Sequence, residues 1–137
     1  MKAPQADVLI VEDDEPTQMF LRAICKRLGF TAVAANDGEA AKEHLDGSTE
    51  WKIVLLDLYL PKCNGFDVIE FTNERAPHLL SRTIVVTAAS ETDVKRARDL
   101  GLVHAVLRKP IDINELGANM KACSSAKAPR RKQTATY

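Results

Sequence analysis

The sequence predicts an α/β protein built on a five-stranded parallel sheet with helices on both faces, the doubly wound arrangement. Five short apolar runs, rich in β-branched residues, alternate with five segments of helical periodicity along the 137 residues. The runs are apolar throughout, which is typical of strands that are covered on both sides in a parallel sheet. At this length one domain with a single core is expected.

The strands are predicted from the apolar runs "DVLIV", "TAVAA", "KIVLLD", "TIVVT" and "AVLRK". Runs this short that are dense in apolar and β-branched residues indicate buried strands, because helices need longer segments. The five strands are expected at residues 7–11, 31–35, 52–57, 83–87 and 105–109.

The helices are predicted from apolar spacing and from residues that favour helix ends. In the first, Phe20, Ile24 and Leu28 recur every four residues, and Asp14 is suited to cap the first turn. The segments "SETD" (90–93) and "DINE" (112–115) resemble capping boxes. The five helices are expected at residues 16–28, 38–45, 66–75, 91–100 and 113–122.

Composition narrows the functional classes. The chain has 19 basic and 19 acidic residues, so its net charge does not favour a nucleic-acid or anionic-membrane binder. No apolar stretch approaches the roughly 18 residues of a membrane span, and the N-terminus lacks the apolar core of a signal peptide, so a soluble cytoplasmic protein is expected. Cys25, Cys63 and Cys123 are odd in number and widely spaced, which indicates reduced thiols.

The predicted domain covers residues 7–122, with an N-terminal extension at 1–6 and a flexible basic tail at 123–137. The tail changes to small, polar and basic residues without apolar periodicity, which favours disorder. We expect no effector domain after residue 122, because the remaining 15 residues are too few to form one. Direct DNA binding is therefore not expected.

Polar side chains stand where four of the predicted strands end, and a doubly wound sheet binds its ligands outside that edge. Glu12 and Asp13 follow the first strand, Asp57 ends the third, Thr87 ends the fourth and Lys109 ends the fifth. Two carboxylates about 4 Å apart repel by roughly 4 kcal/mol at an effective dielectric constant of about 20, so a cation is expected among them. Oxygen ligands without histidine or cysteine favour Mg²⁺.

These residue types also suit phosphoryl chemistry. A carboxylate such as Asp57 can act as a nucleophile that forms an acyl phosphate, while Mg²⁺ and an ammonium group neutralise the phosphoryl oxygens. Thr87 can donate a hydrogen bond to one phosphoryl oxygen, and Lys109 can pair with another. A position at a strand end would hold the nucleophile rigidly beside a loop that opens to solvent. We therefore hypothesise that Asp57 is a phosphoacceptor.

The chain contains four segments in a fixed order, namely "VLIVEDDEPT", "LLDLYLP" with Gly65 eight residues after the aspartate, "IVVTAA" and "LRKP". Together, and at this spacing, they resemble the receiver domain of two-component response regulators in its single-domain, chemotaxis-type form. The resemblance covers about residues 7–122. It implies a flavodoxin-like sheet in the strand order 2-1-3-4-5, which would place Asp13 and Asp57 face to face.

The resemblance also implies roles for the site residues. Asp57 would be the phosphoacceptor, and Thr87 and Lys109 would contact the phosphoryl group. The peptide bond between Lys109 and Pro110 would be cis, which proline permits at low cost. The ligands of Mg²⁺ would be Glu12, Asp13, Asp57 and the backbone carbonyl oxygen of Tyr59.

The chain departs from the family in ways that bear on switching. The family usually has Tyr or Phe three residues before the lysine, but Val106 stands here, so the aromatic switch is absent. We expect activation to be read out instead by the loop after Thr87 and by helix 91–100. Tyr59 could cover the phosphoryl group, and Ala89 has no side chain to orient water. A phosphoryl state that lasts minutes or longer is therefore predicted.

The favoured function is a stand-alone receiver in phosphorelay signal transduction. It would accept a phosphoryl group from a histidine kinase or a histidine phosphotransfer protein on Asp57, and then change conformation to control a partner protein. It would catalyse only its own phosphorylation and dephosphorylation, as a monomer or a phosphorylation-linked dimer. The partner would bind a face made by helix four, strand five and helix five, with a basic surface from Lys95, Arg96, Arg98 and Arg108.

Three alternatives remain open. A phosphorelay shuttle would pass the phosphoryl group to another histidine, and sequence alone does not separate it from the favoured function. A phosphorylation-independent adaptor would keep the fold without the chemistry. The absence of the usual aromatic residue at Val106 is compatible with this alternative. A hydrolase of small phosphate esters generally needs a second acid two residues after the nucleophile, where this chain has Tyr59.

Overall fold

The computed structural model describes residues 6–125 and shows alternating strands and helices with one additional 3₁₀ helix, Pro77–Arg82. The strands are β1 (Val8–Val11), β2 (Ala32–Ala35), β3 (Ile53–Leu56), β4 (Thr83–Thr87) and β5 (Ala105–Arg108). The helices are α1 (Glu15–Arg27), α2 (Gly38–His44), α3 (Gly65–Arg75), α4 (Glu91–Leu100) and α5 (Ile113–Ser125). No helix in this described part of the chain is long and apolar enough to cross a membrane.

The five strands form one parallel sheet in the order β2-β1-β3-β4-β5. β1 pairs with β2 on one side and with β3 on the other, so that Val11 lies opposite both Ala35 and Leu56. The strand order reverses between β1 and β3, and a doubly wound sheet opens a crevice at this point of its carboxyl edge. The predicted fold class and strand order are confirmed.

Alternate strand positions divide the core into two clusters, one on each face of the sheet. Leu9 and Val54 belong to the cluster that contains the buried residues of α2, α3 and α4. Ile10 and Leu55 belong to the cluster that contains the buried residues of α1 and α5. Each strand is therefore covered on both sides, as its continuous apolar sequence predicted, and the sheet forms a rigid base for the residues at its edge.

Helix starts follow the capping residues. Asp14 caps α1 by accepting a hydrogen bond from a first-turn amide. Asn64 starts α3 with a complete capping box, in which Asn64 and Asp67 exchange hydrogen bonds, so this helix begins one residue earlier than predicted. The predicted caps Ser90 and Asp112 each accept a hydrogen bond from the amide three residues later. This bond is the forward half of a capping box.

The C-terminal helix differs from its prediction, because α5 continues to Ser125. Cys123 is buried since it continues the apolar face that Leu116 and Met120 form on this helix. The predicted end of the helix at residue 122 and the predicted start of a tail at 123 are therefore wrong. Residues 1–5 and 126–137, which contain most of the predicted extension and tail, lie outside the described residues.

All three cysteines are free, in agreement with the predicted thiols. Cys63 is partly buried, whereas Cys25 and Cys123 are fully buried. Burial raises the pKa of the Cys25 thiol to about 11 and that of the Cys123 thiol to about 12. Both buried thiols therefore stay protonated, and their role is packing in the core.

Candidate functional site

The carboxyl edge of the sheet brings together the strand ends that the sequence singled out. Glu12 follows β1, Asp57 follows β3, Thr87 ends β4 and Lys109 follows β5. Lys109 Nζ lies 2.9 Å from Glu12 Oε1 and 3.1 Å from Asp57 Oδ2. Thr87 Oγ1 donates to Asp57 Oδ1 at 2.7 Å, so each oxygen of this carboxylate has a side-chain donor. The peptide bond between Lys109 and Pro110 is cis, as predicted.

The site is buried, and one ammonium group offsets part of its negative charge. Glu12 is 2% exposed and Asp57 is 6% exposed. Burial raises the pKa of Glu12, and the hydrogen bond from Lys109 opposes that rise. For Lys109, burial disfavours the charged form, but the hydrogen bond to Glu12 and the charge of Asp57 outweigh it and raise the pKa. The Lys109 ammonium therefore acts as the internal counterion of two buried carboxylates.

Three carboxylates at this edge could share one cation. Ligand oxygens of Glu12, Asp13 and Asp57 lie within 4.8 Å of one another. Asp13 is exposed while the other two side chains are buried, so the cluster is open to water on one side. Carboxylate oxygens suit a hard cation such as Mg²⁺, which keeps several water ligands. The residues present therefore fit the predicted ion.

Two further side chains support this edge without joining the cluster. Asp14 Oδ2 accepts hydrogen bonds from Thr17 Oγ1 at 2.5 Å and Thr17 N at 3.1 Å, and these bonds lower the pKa of Asp14. Its predicted role as the cap of α1 is confirmed. Gln18 was not predicted, yet its Nε2 donates to the carbonyl oxygen of Glu12 at 2.5 Å and to Asn36 Oδ1 at 2.6 Å. Gln18 thereby ties α1 to the segments that follow β1 and β2.

The loop after Asp57 folds back closely on the strand end. The Gly65 N–H donates to the carbonyl oxygen of Leu58 at 2.7 Å. A Cβ atom on Gly65 would lie 2.6 Å from the carbonyl oxygen of Asp57 and 2.6 Å from Leu58 Cα. Only glycine fits this approach, which accounts for the glycine eight residues after the aspartate.

Tyr59 connects the site to α4. Its N–H donates to Asp57 Oδ1 at 3.2 Å, and the residue is 52% exposed. The hydroxyl donates to Asp93 Oδ2 at 2.8 Å and accepts a hydrogen bond from the Ser90 N–H at 3.2 Å. The sequence suggested that Tyr59 covers the phosphoryl group, but it did not predict these two partners. They lie 34 and 31 positions away along the chain, and contacts at such separations leave no spacing pattern in a sequence.

Val106 and Ala89, the other two positions that the sequence linked to switching and phosphate loss, are buried. Val106 lies in β5, and its carbonyl oxygen accepts a hydrogen bond from Arg98 Nη2 at 3.0 Å. Ala89 follows β4, and its N–H donates to Thr87 Oγ1 at 3.2 Å. The loop between β4 and α4 is therefore bonded directly to the hydroxyl that holds Asp57.

The predicted basic surface on α4 and β5 is mixed in charge. Its four cations have local partners: Lys95 pairs with Asp99, Arg108 pairs with Glu91, Arg98 donates to the Val106 carbonyl, and Arg96 lies over the Phe66 ring. Arg96 therefore faces α3 and not β5. The basic surface therefore stays a prediction, since two of its cations are paired with acids while Arg96 and Arg98 keep their charge in contacts with a ring and a carbonyl oxygen.

Proteins of similar sequence agree with this geometry. Residues 8–121 match the family described as "Response regulator receiver domain". Transcriptional regulatory protein CpxR of Escherichia coli (strain K12) is 32% identical over 115 residues, which cover 84% of this chain and 47% of CpxR. The chain therefore spans about half the length of this curated relative.

Solved structures show the same fold. The non-phosphorylated HemR receiver domain from Leptospira biflexa has a TM-score of 0.77 and 27% identity, covering 91% of this chain and 98% of that one. The receiver domain of a sensor histidine kinase from Pseudomonas aeruginosa PAO1 is described with a magnesium ion coordinated in its active-site cleft. It has a TM-score of 0.76 and 21% identity over 90% of this chain and 100% of that one, and this likeness shows the fold alone.

Proposed function

Because this chain belongs to the response regulator receiver domain family of two-component signalling, we propose that it accepts a phosphoryl group on Asp57 and thereby controls a partner protein. The observation that carries this proposal is the pair of side-chain donors on one buried carboxylate. Lys109 Nζ lies 3.1 Å from Asp57 Oδ2, and Thr87 Oγ1 lies 2.7 Å from Asp57 Oδ1. Both donors are in place to bind phosphoryl oxygens as soon as the group is attached.

The phosphoryl donor is a phosphohistidine of a histidine kinase or of a histidine phosphotransfer protein. A carboxylate oxygen of Asp57 attacks the phosphorus, the N–P bond of the phosphohistidine breaks, and its electron pair returns to the imidazole nitrogen. The new O–P bond makes an acyl phosphate and removes the carboxylate charge. Lys109 and Thr87 then donate to the phosphoryl oxygens.

Mg²⁺ is the proposed cofactor. The residues that would hold it are Glu12, Asp13 and Asp57 through their carboxylates and Tyr59 through its backbone carbonyl oxygen. When bound, the ion supplies positive charge that neutralises the phosphoryl oxygens during transfer. The clustering of three carboxylates with an open side supports this assignment.

The acyl phosphate is lost when water attacks the phosphorus, which regenerates the Asp57 carboxylate and releases inorganic phosphate. Neither the Tyr59 side chain, whose hydroxyl is bonded to α4, nor the methyl group of Ala89 supplies a base that activates that water, so we propose a lifetime of minutes or longer. The chain would catalyse only its own phosphorylation and dephosphorylation. Hydrolysis of external phosphate esters is disfavoured because Tyr59 occupies the place of the second acid.

The output would be a change in protein binding at α4, β5 and α5, in a monomer or a phosphorylation-linked dimer. A shuttle role, in which the phosphoryl group passes on to another histidine, uses the same site and is the second candidate. Stand-alone action and a cytoplasmic location stay predictions, since the chain spans about half the length of the CpxR relative.

Intact-mass measurement after incubation with Mg²⁺ and acetyl phosphate tests the proposal. We expect one phosphoryl increment in the wild type, none in Asp57→Ala, and loss of the increment when the metal is chelated. Asp14→Asn is the matched control, because this aspartate lies at the same edge but caps α1. An unmodified wild type, or a folded Asp57→Ala variant that is modified equally, would contradict the assignment.

A further inference from the structure

The N-terminus of α4 carries an unusual cap. Ser90 Oγ accepts a hydrogen bond from the Asp93 N–H at 3.1 Å, as in the forward half of a capping box. In a complete capping box, the Asp93 carboxylate would accept a hydrogen bond directly from the Ser90 N–H. Here the Tyr59 hydroxyl lies between them, accepting from Ser90 N at 3.2 Å and donating to Asp93 Oδ2 at 2.8 Å. A residue from another loop therefore completes the cap.

The same residue touches the phosphoacceptor. The Tyr59 N–H donates to Asp57 Oδ1 at 3.2 Å, so its backbone contacts the site while its side chain contacts α4. We propose that Tyr59 is a positioning residue that couples the state of Asp57 to the first turn of α4. This inference rests on the proposed function, because it needs a change at Asp57 to transmit.

A second chain of contacts ends on the same carboxylate oxygen. Thr87 Oγ1 donates to Asp57 Oδ1 at 2.7 Å and accepts a hydrogen bond from the Ala89 N–H at 3.2 Å. Ala89 directly precedes Ser90, whose N–H holds the Tyr59 hydroxyl. Both partners of the bond between Ser90 and Tyr59 are therefore connected to one oxygen atom of Asp57.

Phosphorylation changes both connections at once. Formation of the O–P bond removes the carboxylate charge, which weakens Asp57 as the acceptor of both hydrogen bonds. When Thr87 turns to the phosphoryl oxygens, it carries Ala89 and Ser90 with it. The bond from Ser90 N to the Tyr59 hydroxyl, at 3.2 Å, is longer than the bond to Asp93 and opens first. The first turn of α4 then loses its external cap.

This device works without the aromatic residue that the family usually carries before the lysine. Val106 is buried in β5 and has no polar side-chain atom. Tyr59 is 52% exposed, so its ring has room to leave α4 when the hydroxyl is released. Because such coupling is reciprocal, a partner that binds the released form of α4 would also favour the phosphorylated state.

Hydrogen exchange of the full chain, followed by mass spectrometry over residues 88–100, tests the coupling. Each sample is measured with and without Mg²⁺ and acetyl phosphate, and its phosphoryl content is read from the intact mass. In the wild type we expect phosphorylation to speed exchange in the first turn of α4 by roughly fivefold, the effect of losing about one net hydrogen bond. In Tyr59→Phe, exchange in that turn is already fast, and the response falls below twofold.

Two further variants separate coupling from general damage. Asp93→Asn retains an acceptor oxygen but not the charge, so its response is expected between those of the wild type and Tyr59→Phe. Asp67→Asn is the matched control, because it alters the equivalent position of α3, whose capping box is made within the helix. It should leave the response of α4 at the wild-type size.

The possible failures are distinguishable. A wild-type protein without a phosphoryl increment would overturn the proposed function and the coupling with it. A phosphorylated wild type with unchanged exchange at residues 90–94 would overturn the coupling alone. A Tyr59→Phe protein that responds as strongly as the wild type would also overturn it, because the hydroxyl would then carry no signal.

Discussion

The helices α3 and α4 begin with similar sequences but are capped in different ways. Each has a polar cap residue three positions before an aspartate, Asn64 before Asp67 and Ser90 before Asp93. In α3 both capping bonds are internal, with Asp67 N donating to Asn64 Oδ1 at 3.0 Å and Asn64 N donating to Asp67 Oδ2 at 3.3 Å. In α4 the return bond passes through the Tyr59 hydroxyl.

The difference shows that one local motif can make either a fixed element or a dependent one. The start of α3 is fixed by its own residues and by the close approach of Gly65 to the chain after β3. The start of α4 depends on a loop that also contacts Asp57. Of these two helices, α4 is the one whose cap includes a side chain from the residue that contacts the Asp57 carboxylate.

The largest expected effect on stability comes from a substitution at the start of α3. Gly65→Ala would place a Cβ atom 2.6 Å from two backbone atoms, so the loop must shift. We expect a loss of about 3 kcal/mol in the free energy of unfolding, measured by urea denaturation. Gly117→Ala in α5 is the control, because its Cβ would meet only Leu28 Cδ1 at 4.0 Å.

At this control position alanine should raise stability by about 0.5–1 kcal/mol, since it reduces the conformational freedom of the unfolded chain. Equal effects of the two substitutions would show that close approach is not what fixes the loop after Asp57. The helix α3 would then be no more constrained than α5.

The next effect compares the caps directly. Asn64→Ala removes the side-chain acceptor of a complete box, and we expect a loss of about 1–2 kcal/mol in the free energy of unfolding. Ser90→Ala should cost about 1 kcal/mol or less, because the Tyr59 hydroxyl still holds the Ser90 N–H. Urea denaturation with both variants measures the difference. A larger loss for Ser90→Ala would reverse the ranking and contradict the supporting role of Tyr59.

The caps of α1 and α4 should differ in how their contributions to stability depend on pH. Asp14 is charged, and its hydrogen bonds with Thr17 lower its pKa, so its contribution to stability is present above the ordinary aspartate pKa. That contribution is lost as pH falls through the lowered folded-state value. We therefore expect the destabilisation by Asp14→Ala, measured by urea denaturation, to shrink in acid. The effect of Ser90→Ala should not follow this trend, because serine does not titrate in this range; parallel pH curves would refute the distinction.

The smallest effect on stability is expected at Tyr59, which contacts both Asp57 and the start of α4. Tyr59→Ala removes a half-exposed side chain, so the free energy of unfolding should change by about 1 kcal/mol or less. Phosphate loss, followed by intact mass after removal of acetyl phosphate, should become severalfold faster because a methyl group replaces a large aromatic side chain two residues from Asp57. Tyr59→Phe keeps the ring and should lose phosphate more slowly than Tyr59→Ala. If Tyr59→Ala retains phosphate as long as the wild type, Tyr59 does not shield the acyl phosphate from water.

The sheet and the site residues on it could be predicted from the sequence. Short, continuous apolar runs are typical of covered parallel strands, and four of the five runs end at a polar residue on the edge where ligands bind. Glu12, Asp57, Thr87 and Lys109 could therefore be placed together before any distance was known. Their convergence follows from topology, since parallel strands bring their carboxyl ends to one edge.

Features that depend on tertiary contact could not be predicted. The 3₁₀ helix Pro77–Arg82 has no periodicity long enough to detect. The contact of Tyr59 with Asp93 and the bonds of Gln18 join segments far apart in the chain. The end of α5 was placed too early because polar composition outweighed Cys123, whose burial is decided by the neighbouring core.

The division of the core by the sheet has a consequence for engineering. The residues of α1 and α5 pack in one cluster and those of α3 and α4 in the other, with the strands between them. The two clusters lie on opposite faces of the sheet, so the effects of well-separated substitutions on the free energy of unfolding should add. The free energy of unfolding could therefore be raised by substitutions on the side of α1 and α5, for instance Gly117→Ala, without changing the contacts of α4.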